Sequence, residues 1–359
     1  MKLPRLLPLL AIATLLALLM AAAMLAAERG NPVLGAHIAF ALGVMPLILA
    51  AMGYFVPVLT RGPGAAIAGW LPPLLALGGG SLAVAAFATH YSKLAISVAA
   101  FLAMIAVIGV GAWALTRVRR MVGRRHPGMD WYLAALGMLL LALLAAMAMS
   151  AFPEQRAPLR IFHLHANLLG FVGLTALGTL QVLLPTCIGK ADPDAAHRLR
   201  TDIKWGVGAC LLISIGAASL LPKMLVGAAP LIAVAGGLIY LAIVLRLLHA
   251  WWGRFRGNLL TPHGAAPSLL AATVGLFCLL ILGLLHGWGY LSGRASILGF
   301  VVAFLLPLVS GAVAQLLPVW LRPGMQDAWH ADLRYRLGRW GGVRGLALLL
   351  AGLLLTILL

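Results

Sequence analysis

The segment FHLHANLLGFVGLTALGTLQVLLPT, residues 162–186, carries the side chains best suited to chemistry, because His163 and His165 open an otherwise apolar run. Residues two apart on an α-helix point about 200° apart. The two imidazoles therefore suit two centres on opposite sides of the helix better than one shared metal ion. Imidazole is a good ligand for heme iron and for copper alike, so the spacing predicts a helix that bridges two sites.

Small residues follow the two histidines. Asn167 and Gly170 lie on the stripe below His163, and Gly173 and Gly178 further thin the same helix. Missing side chains would leave room for a flat macrocycle such as heme. Glycines also let membrane helices pack closely, and the sequence leaves both interpretations open.

A third histidine and a set of cations could complete a heme site. His37 lies about one turn inside the second apolar segment, at a depth similar to that of His165, and could supply the opposite axial bond. Arg156 and Arg160 precede His163 and could pair with heme propionates. Contacts of these arginines with phospholipid headgroups are the alternative.

The composition places these residues in a membrane. The 359 residues are 63% hydrophobic and only 9% charged, which predicts a polytopic membrane protein embedded in a lipid bilayer. The net charge of +18 sits in short clusters between apolar runs, so it predicts membrane topology and no nucleic-acid partner. Three cysteines without CxxC spacing predict neither disulfides nor a zinc site.

Apolar windows of about 20 residues predict an all-α bundle of about 11 transmembrane helices. Of the 26 Lys and Arg residues, most fall on the side that holds the amino terminus, which predicts a cytoplasmic N-terminus and a C-terminus on the opposite face of the membrane. In a bacterial inner membrane, the location we expect, that opposite face is periplasmic. The first span could instead be a signal peptide, but its length favours a retained helix. The predicted spans are 6–27, 33–59, 65–89, 93–117, 131–152, 158–187, 204–225, 228–252, 267–291, 294–320 and 342–359.

A faint internal repeat divides the chain. The segments YFVPVLTRGPG, VLLPTCIGK and QLLPVWLRPG each end a long span with a proline. This predicts a single membrane domain, 1–359, built of pseudo-threefold four-helix arcs, about 1–120, 121–255 and 256–359, with one helix missing. Apolar helices also often end in proline, which is the simpler explanation. The three prolines are Pro57, Pro185 and Pro318. The residues twenty positions before them are His37, His165 and Leu298, in that order.

The histidines separate by their predicted depth. One set lies toward the outer ends of spans, where ionisable residues usually mark a site; hydrogen bonding at the membrane interface is the alternative. In this set, His90 and His286 are candidate ligands of a second metal. The outer set is His37, His90, His163, His165 and His286. The inner set, expected to be solvated or near headgroups, is His126, His197, His249, His263 and His330.

The segments HLHANLLGFVGLTALGTLQVLLP and GAHIAFALGVMPLILAAMGYFVPVLTRG resemble two helices of the catalytic subunit of C-family heme-copper oxidases and the related nitric oxide reductases. More loosely, the chain resembles NnrS-type heme- and copper-containing membrane proteins. The resemblance implies that His163 and His165 each ligate a heme, and that His37 partners one of them. It also implies b-type heme, with copper as a second candidate cofactor.

The chain departs from that family in its metal ligands. The family's copper site uses an adjacent His-His pair, and no such pair occurs here. The H-x-H motif also lies on the sixth span and not the tenth. The resemblance covers about fifty residues and leaves turnover, as an oxidase or a nitric oxide reductase, open.

Three functions fit these observations. The first is a heme protein, with or without copper, that transfers electrons from an unknown donor or handles a diatomic gas such as nitric oxide or oxygen. The second is a non-catalytic carrier or sensor of heme, copper or nitric oxide. The third is a cofactor-free transporter that uses its intramembrane histidines; the low charge within the spans disfavours it.

Overall fold

A computed structural model describes residues 3–27, 30–64, 67–89, 92–121 and 123–359, and these are helical with no strand. In chain order the α-helices are α1 (Leu3–Ala26), α2 (Pro32–His37), α3 (Met45–Leu59), α4 (Leu71–Ala88), α5 (Lys93–Arg120), α6 (Gly128–Ala151), α7 (Arg156–His165), α8 (Leu174–Ile188), α9 (Ala195–Ala217), α10 (Ala229–Leu259), α11 (Ala265–Gly287), α12 (Gly293–Gly299), α13 (Leu306–Leu321), α14 (Ala328–Gly338) and α15 (Gly341–Leu358).

Several short segments of other helical type join these helices. Three are π-helical and interrupt long spans without ending them: Ile38–Val44, Ala166–Gly173 and Phe300–Leu305. Three are 3₁₀ turns at helix starts: Ile67–Trp70, Pro153–Gln155 and Lys223–Ala228.

The chain forms two compact units, each with its own core. The first unit comprises Met1–Ala39, Leu180–Pro193 and Leu241–Leu359, and the second comprises Phe40–Thr179 and Asp194–Tyr240. The prediction of one domain with three arcs is not tested by this division and stays a prediction.

In the first unit, α11 packs against α13 and α15, and α1 packs against α13. The core includes Ala303, which Gly275 of α11 and Gly352 of α15 both approach so closely that a side chain on either glycine would collide with it. Small residues thus let three helices meet at one point.

In the second unit, α4 packs along α5, α5 along α6, and α6 along α7. Trp131 is fully buried in α6, and its indole N–H donates to the carbonyl of Leu199 over 2.9 Å. This bond ties α6 to α9. A buried indole needs such a partner, so the pairing of α6 with α9 is specific.

Ten helical segments of the described chain are long and apolar enough to cross a membrane. They confirm the all-α polytopic bundle, and each overlaps one of ten predicted spans. Most boundaries differ by a few residues, but the segment Ala328–Leu358 begins well before the predicted span 342–359 because it includes α14. The protein is therefore a multi-pass membrane protein surrounded by lipid.

The prediction for span 204–225 was wrong in its boundaries. The helix there is α9, which begins at Ala195 and ends at Ala217. The charged residues of its first turns, Arg198 and Asp202 among them, lower the hydropathy of the segment but are themselves buried in the helix bundle. Hydropathy alone therefore placed the start of this helix too late.

One polar helix, α14, was not predicted from the sequence. Its N-terminus is capped by Asp327, whose carboxylate accepts from the backbone N–H of His330. The His330 ring is only 2% exposed, and its Nε2 donates to the carbonyl of Arg322 over 2.8 Å. The sequence predicts a solvated or headgroup-bound His330, but the structure shows it as a buried residue that caps α14. The hydrogen bonds that the Asp327 carboxylate accepts from His330 lower the pKa of Asp327.

Candidate functional site

The three π-helical segments occupy equivalent places in the three proposed repeats. Ile38–Val44 directly follows His37, and Ala166–Gly173 directly follows His165. Phe300–Leu305 begins two residues after Leu298, the residue at the equivalent position of the third repeat. A π-helical turn is wider than an α-helical turn, and we call these three segments wide turns. Such turns inside α-helices are frequent at functional sites. The internal repeat stays a prediction, and the stretches after His37 and His165 have unusual backbone.

A neighbouring helix approaches the same carbonyl in each wide turn, that of the fourth residue. Gly80 comes against the carbonyl of Ala41, and Gly275 comes against that of Ala303. In the second repeat the carbonyl of Leu169 accepts hydrogen bonds from Tyr240 Oη over 3.1 Å and from Cys210 Sγ over 3.4 Å. Each wide turn therefore presents a backbone oxygen to a partner helix.

Proline explains two of the three wide turns. Pro46 and Pro307 stand at the first or second position of the helices that resume after the turns. Proline has no N–H to donate, and its ring repels the carbonyl of the preceding turn. In the second repeat, the residue that corresponds to Pro46 and Pro307 is Leu174. Its wide turn is accompanied instead by the hydrogen bonds from Tyr240 and Cys210.

The hydrogen bond from Tyr240 is therefore expected to stabilise the second unit. Tyr240→Phe removes the stronger of the two donors to the Leu169 carbonyl, and we expect a loss of about 1 kcal/mol of stability. Thermal unfolding of the detergent-solubilised protein measures it. Tyr290→Phe is the control, because Tyr290 is 76% exposed. Equal unfolding temperatures for both variants would contradict a stabilising role.

His37 and His165 share the same local geometry. The Nδ1 of His37 lies 2.7 Å from the carbonyl of Val33, and the Nδ1 of His165 lies 2.9 Å from that of Ile161, each four residues earlier. A carbonyl oxygen only accepts, so Nδ1 carries the proton and the lone pair of the neutral ring lies on Nε2. A hydrogen bond from the ring nitrogen that does not bind the metal to a carbonyl is typical of metal-ligating histidines.

His163 is held differently. Its Nδ1 donates to the carbonyl of Ala142 on α6 over 2.8 Å, and the side-chain amide of Asn167 lies 3.4 Å from each of its ring nitrogens. Asn167 also donates to the His163 carbonyl over 2.9 Å. The ring of His163 therefore anchors α7 to α6 within the second unit, whereas the Nδ1–H of His165 donates within its own helix, to the Ile161 carbonyl.

Gly170 lies against a side chain. A Cβ atom at Gly170 would stand 2.7 Å from the Cβ of Met138 and 2.8 Å from its Cε. Similarly, Gly173 faces the hydroxyl of Tyr240, and Gly178 faces Trp131. Close helix packing accounts for all three glycines. The assignment of Gly170 to a cofactor pocket stays a prediction, and it requires the flexible Met138 side chain to move.

The other predicted ligands are more dispersed. The Nδ1 of His286 donates to the carbonyl of Leu291 over 2.8 Å, at the end of α11. His90 lies outside the described residues. Arg156 and Arg160 are exposed in the first turns of α7, where their guanidinium groups could meet propionates or lipid headgroups.

The side chains that could act as ligands decide which cofactor the described residues could hold. No three His, Cys, Asp or Glu side chains of the described chain are grouped closely enough to hold a metal ion. A copper centre with three protein ligands therefore has no candidate there, and copper stays a prediction. An axial heme ligand needs one imidazole with its Nδ1–H anchored. His37, His163 and His165 each meet that requirement.

No protein-family model matches this chain, and no curated protein matches it significantly. The site must therefore be interpreted from its own residues. Sequence reasoning missed Met138, Cys210 and Tyr240, which surround the second wide turn. Single apolar or weakly polar residues on distant helices carry no local signal for such contacts.

Proposed function

We propose that this chain is a bacterial inner-membrane heme protein in which His37 and His165 serve as axial ligands to b-type heme. The observation that carries the proposal is their shared geometry: an anchored Nδ1–H, an Nε2 lone pair and a π-helical turn immediately afterwards. The resemblance of the two segments to heme-copper oxidase helices supports the same ligands.

The protein residues would prepare such a site in three ways. The carbonyls of Val33 and Ile161 fix the tautomer of each ligand and make Nε2 more basic. The residues that follow the two histidines, Ile38 and Ala166, are buried and would shield one side of each ligand from water. Arg156 and Arg160 offer positive charge for propionates. A bound heme supplies electron transfer and, if one coordination position is open, binding of nitric oxide or oxygen.

The proposed orientation places the amino terminus in the cytoplasm and the carboxyl terminus in the periplasm. The orientation requires α9 to cross the membrane in addition to the ten helical segments above, which gives eleven spans. The Lys and Arg clusters around 117–125, 190–204, 246–256 and 322–344 then share one face. Cysteine accessibility at residues introduced near each terminus tests this orientation.

An absorption spectrum tests the heme proposal directly. Detergent-purified protein from heme-sufficient cells should show a reduced-minus-oxidised difference band, and pyridine extraction should identify b-type heme at a definite ratio to protein. Addition of carbon monoxide or nitric oxide then reports an open coordination position. Protein that lacks heme after expression and after incubation with hemin would overturn the proposal and favour a cofactor-free transporter.

A further inference from the structure

A groove of about 280 Å³ runs along the surface of the second unit, between α9 and α10. Five of its lining residues come from α9 and one from α10. The lining residues are Lys204, Trp205, Gly208, Ala209, Leu212 and Ile239. None of these residues belongs to the proposed heme site.

The floor of the groove is apolar and elongated. Lys204, Gly208 and Leu212 lie on one stripe of α9, one turn apart, so the groove extends about 12 Å along the helix. A Cβ atom at Gly208 would meet nothing within 4 Å. The missing side chain at Gly208 therefore leaves an open channel in an apolar surface.

Positive charge marks one end of this groove. Lys204 is the last charged residue of α9, and only uncharged residues follow it to the end of the helix at Ala217. Its Nζ lies 5.5 Å from the centroid of the Trp205 ring, and Trp205 is 54% exposed. Arg200, one turn earlier, is exposed as well. Tryptophan and basic residues at the end of an apolar span are typical of the membrane interface.

We propose that this groove binds an anionic phospholipid, with one acyl chain along Gly208 and Leu212 and the headgroup at Lys204 and Arg200. The charge of the two cations complements an anionic headgroup, and the apolar floor complements the acyl chain. The site is independent of the heme proposal, since it shares no residue with it.

Quenching of Trp205 fluorescence tests this site. The full-length protein is placed in vesicles of phosphatidylcholine that contain increasing fractions of brominated-acyl phosphatidylglycerol or brominated-acyl phosphatidylcholine. Each variant is compared with the same variant carrying Trp205→Phe, so that the difference isolates Trp205. In the unmodified protein, phosphatidylglycerol should reach half-maximal quenching at a fraction about fivefold lower than phosphatidylcholine.

Two variants distinguish the contribution of the lipid headgroup to binding from that of the acyl chain. Lys204→Ala should remove most of the preference for phosphatidylglycerol, and Gly208→Leu should fill the channel and abolish the saturable quenching by either lipid. Gly137→Leu is the matched control, because Gly137 is also an open, exposed glycine on a span of this unit. Equal quenching by both lipids in the unmodified protein, or unchanged quenching in Gly208→Leu, would overturn the proposal.

Discussion

His165→Ala is expected to abolish the low-spin heme signal, and His37→Ala is expected to do the same. Each histidine is a proposed ligand of a low-spin heme, so the loss of either should change the absorption spectrum or release the cofactor. His163→Ala should retain the signal, because the proposed heme ligands are His37 and His165, whereas the His163 ring donates to the Ala142 carbonyl and lies 3.4 Å from the Asn167 amide. Reduced-minus-oxidised spectra and heme-to-protein ratios measure the outcome.

Two controls make this experiment specific. His249→Ala removes an exposed histidine of α10 and should leave the spectrum unchanged. Added imidazole should restore the signal in His165→Ala if the heme pocket survives the substitution. Loss of the signal in His163→Ala alone would mean that the roles of the two H-x-H histidines are exchanged, and retention in both His37→Ala and His165→Ala would contradict the proposed ligands.

Gly80→Ala is expected to destabilise the protein by about 1–3 kcal/mol. Its new methyl group would collide with the carbonyl of Ala41, inside the wide turn that follows His37. The backbone cannot yield as a flexible side chain could, so α4 must move away from the turn. Chemical or thermal unfolding in detergent, followed by circular dichroism, measures the change.

Gly78→Ala is the matched control on the same helix. A Cβ atom at Gly78 would meet nothing within 4 Å, so this substitution removes the conformational cost of glycine in a helix and should be neutral or stabilising by about 0.5–1 kcal/mol. The two neighbouring substitutions thus have opposite expected signs. A Gly80→Ala variant as stable as Gly78→Ala would show that the close approach of α4 to Ala41 is wrong.

The spans were predictable because burial in lipid requires long apolar helices whose backbone groups bond within the helix. The exception was α9, where Arg198 and Asp202 are buried by neighbouring helices and not by lipid. A hydropathy average reports only the composition of one segment. It has no access to the protein partners that make a buried charge tolerable.

The repeat of prolines was also visible in the sequence, and Pro46 and Pro307 carry a local reason for wide turns in the first and third repeats. The second repeat lacks that signal. In its wide turn, the Leu169 carbonyl accepts hydrogen bonds from Tyr240 and Cys210. Those two residues lie on other helices and reach this carbonyl only in the folded chain.

By itself, the sequence determined that this is an all-α membrane protein, where its apolar spans lie, and that histidines open two of them. The hydrophobic effect and the need to satisfy backbone hydrogen bonds act locally along the chain, so composition is enough. Only the tertiary structure decided that His163 bonds to α6, that Met138 fills the space at Gly170, and that His330 is buried. These contacts join residues from different helices or turns, and side-chain packing selects them only when the helices meet.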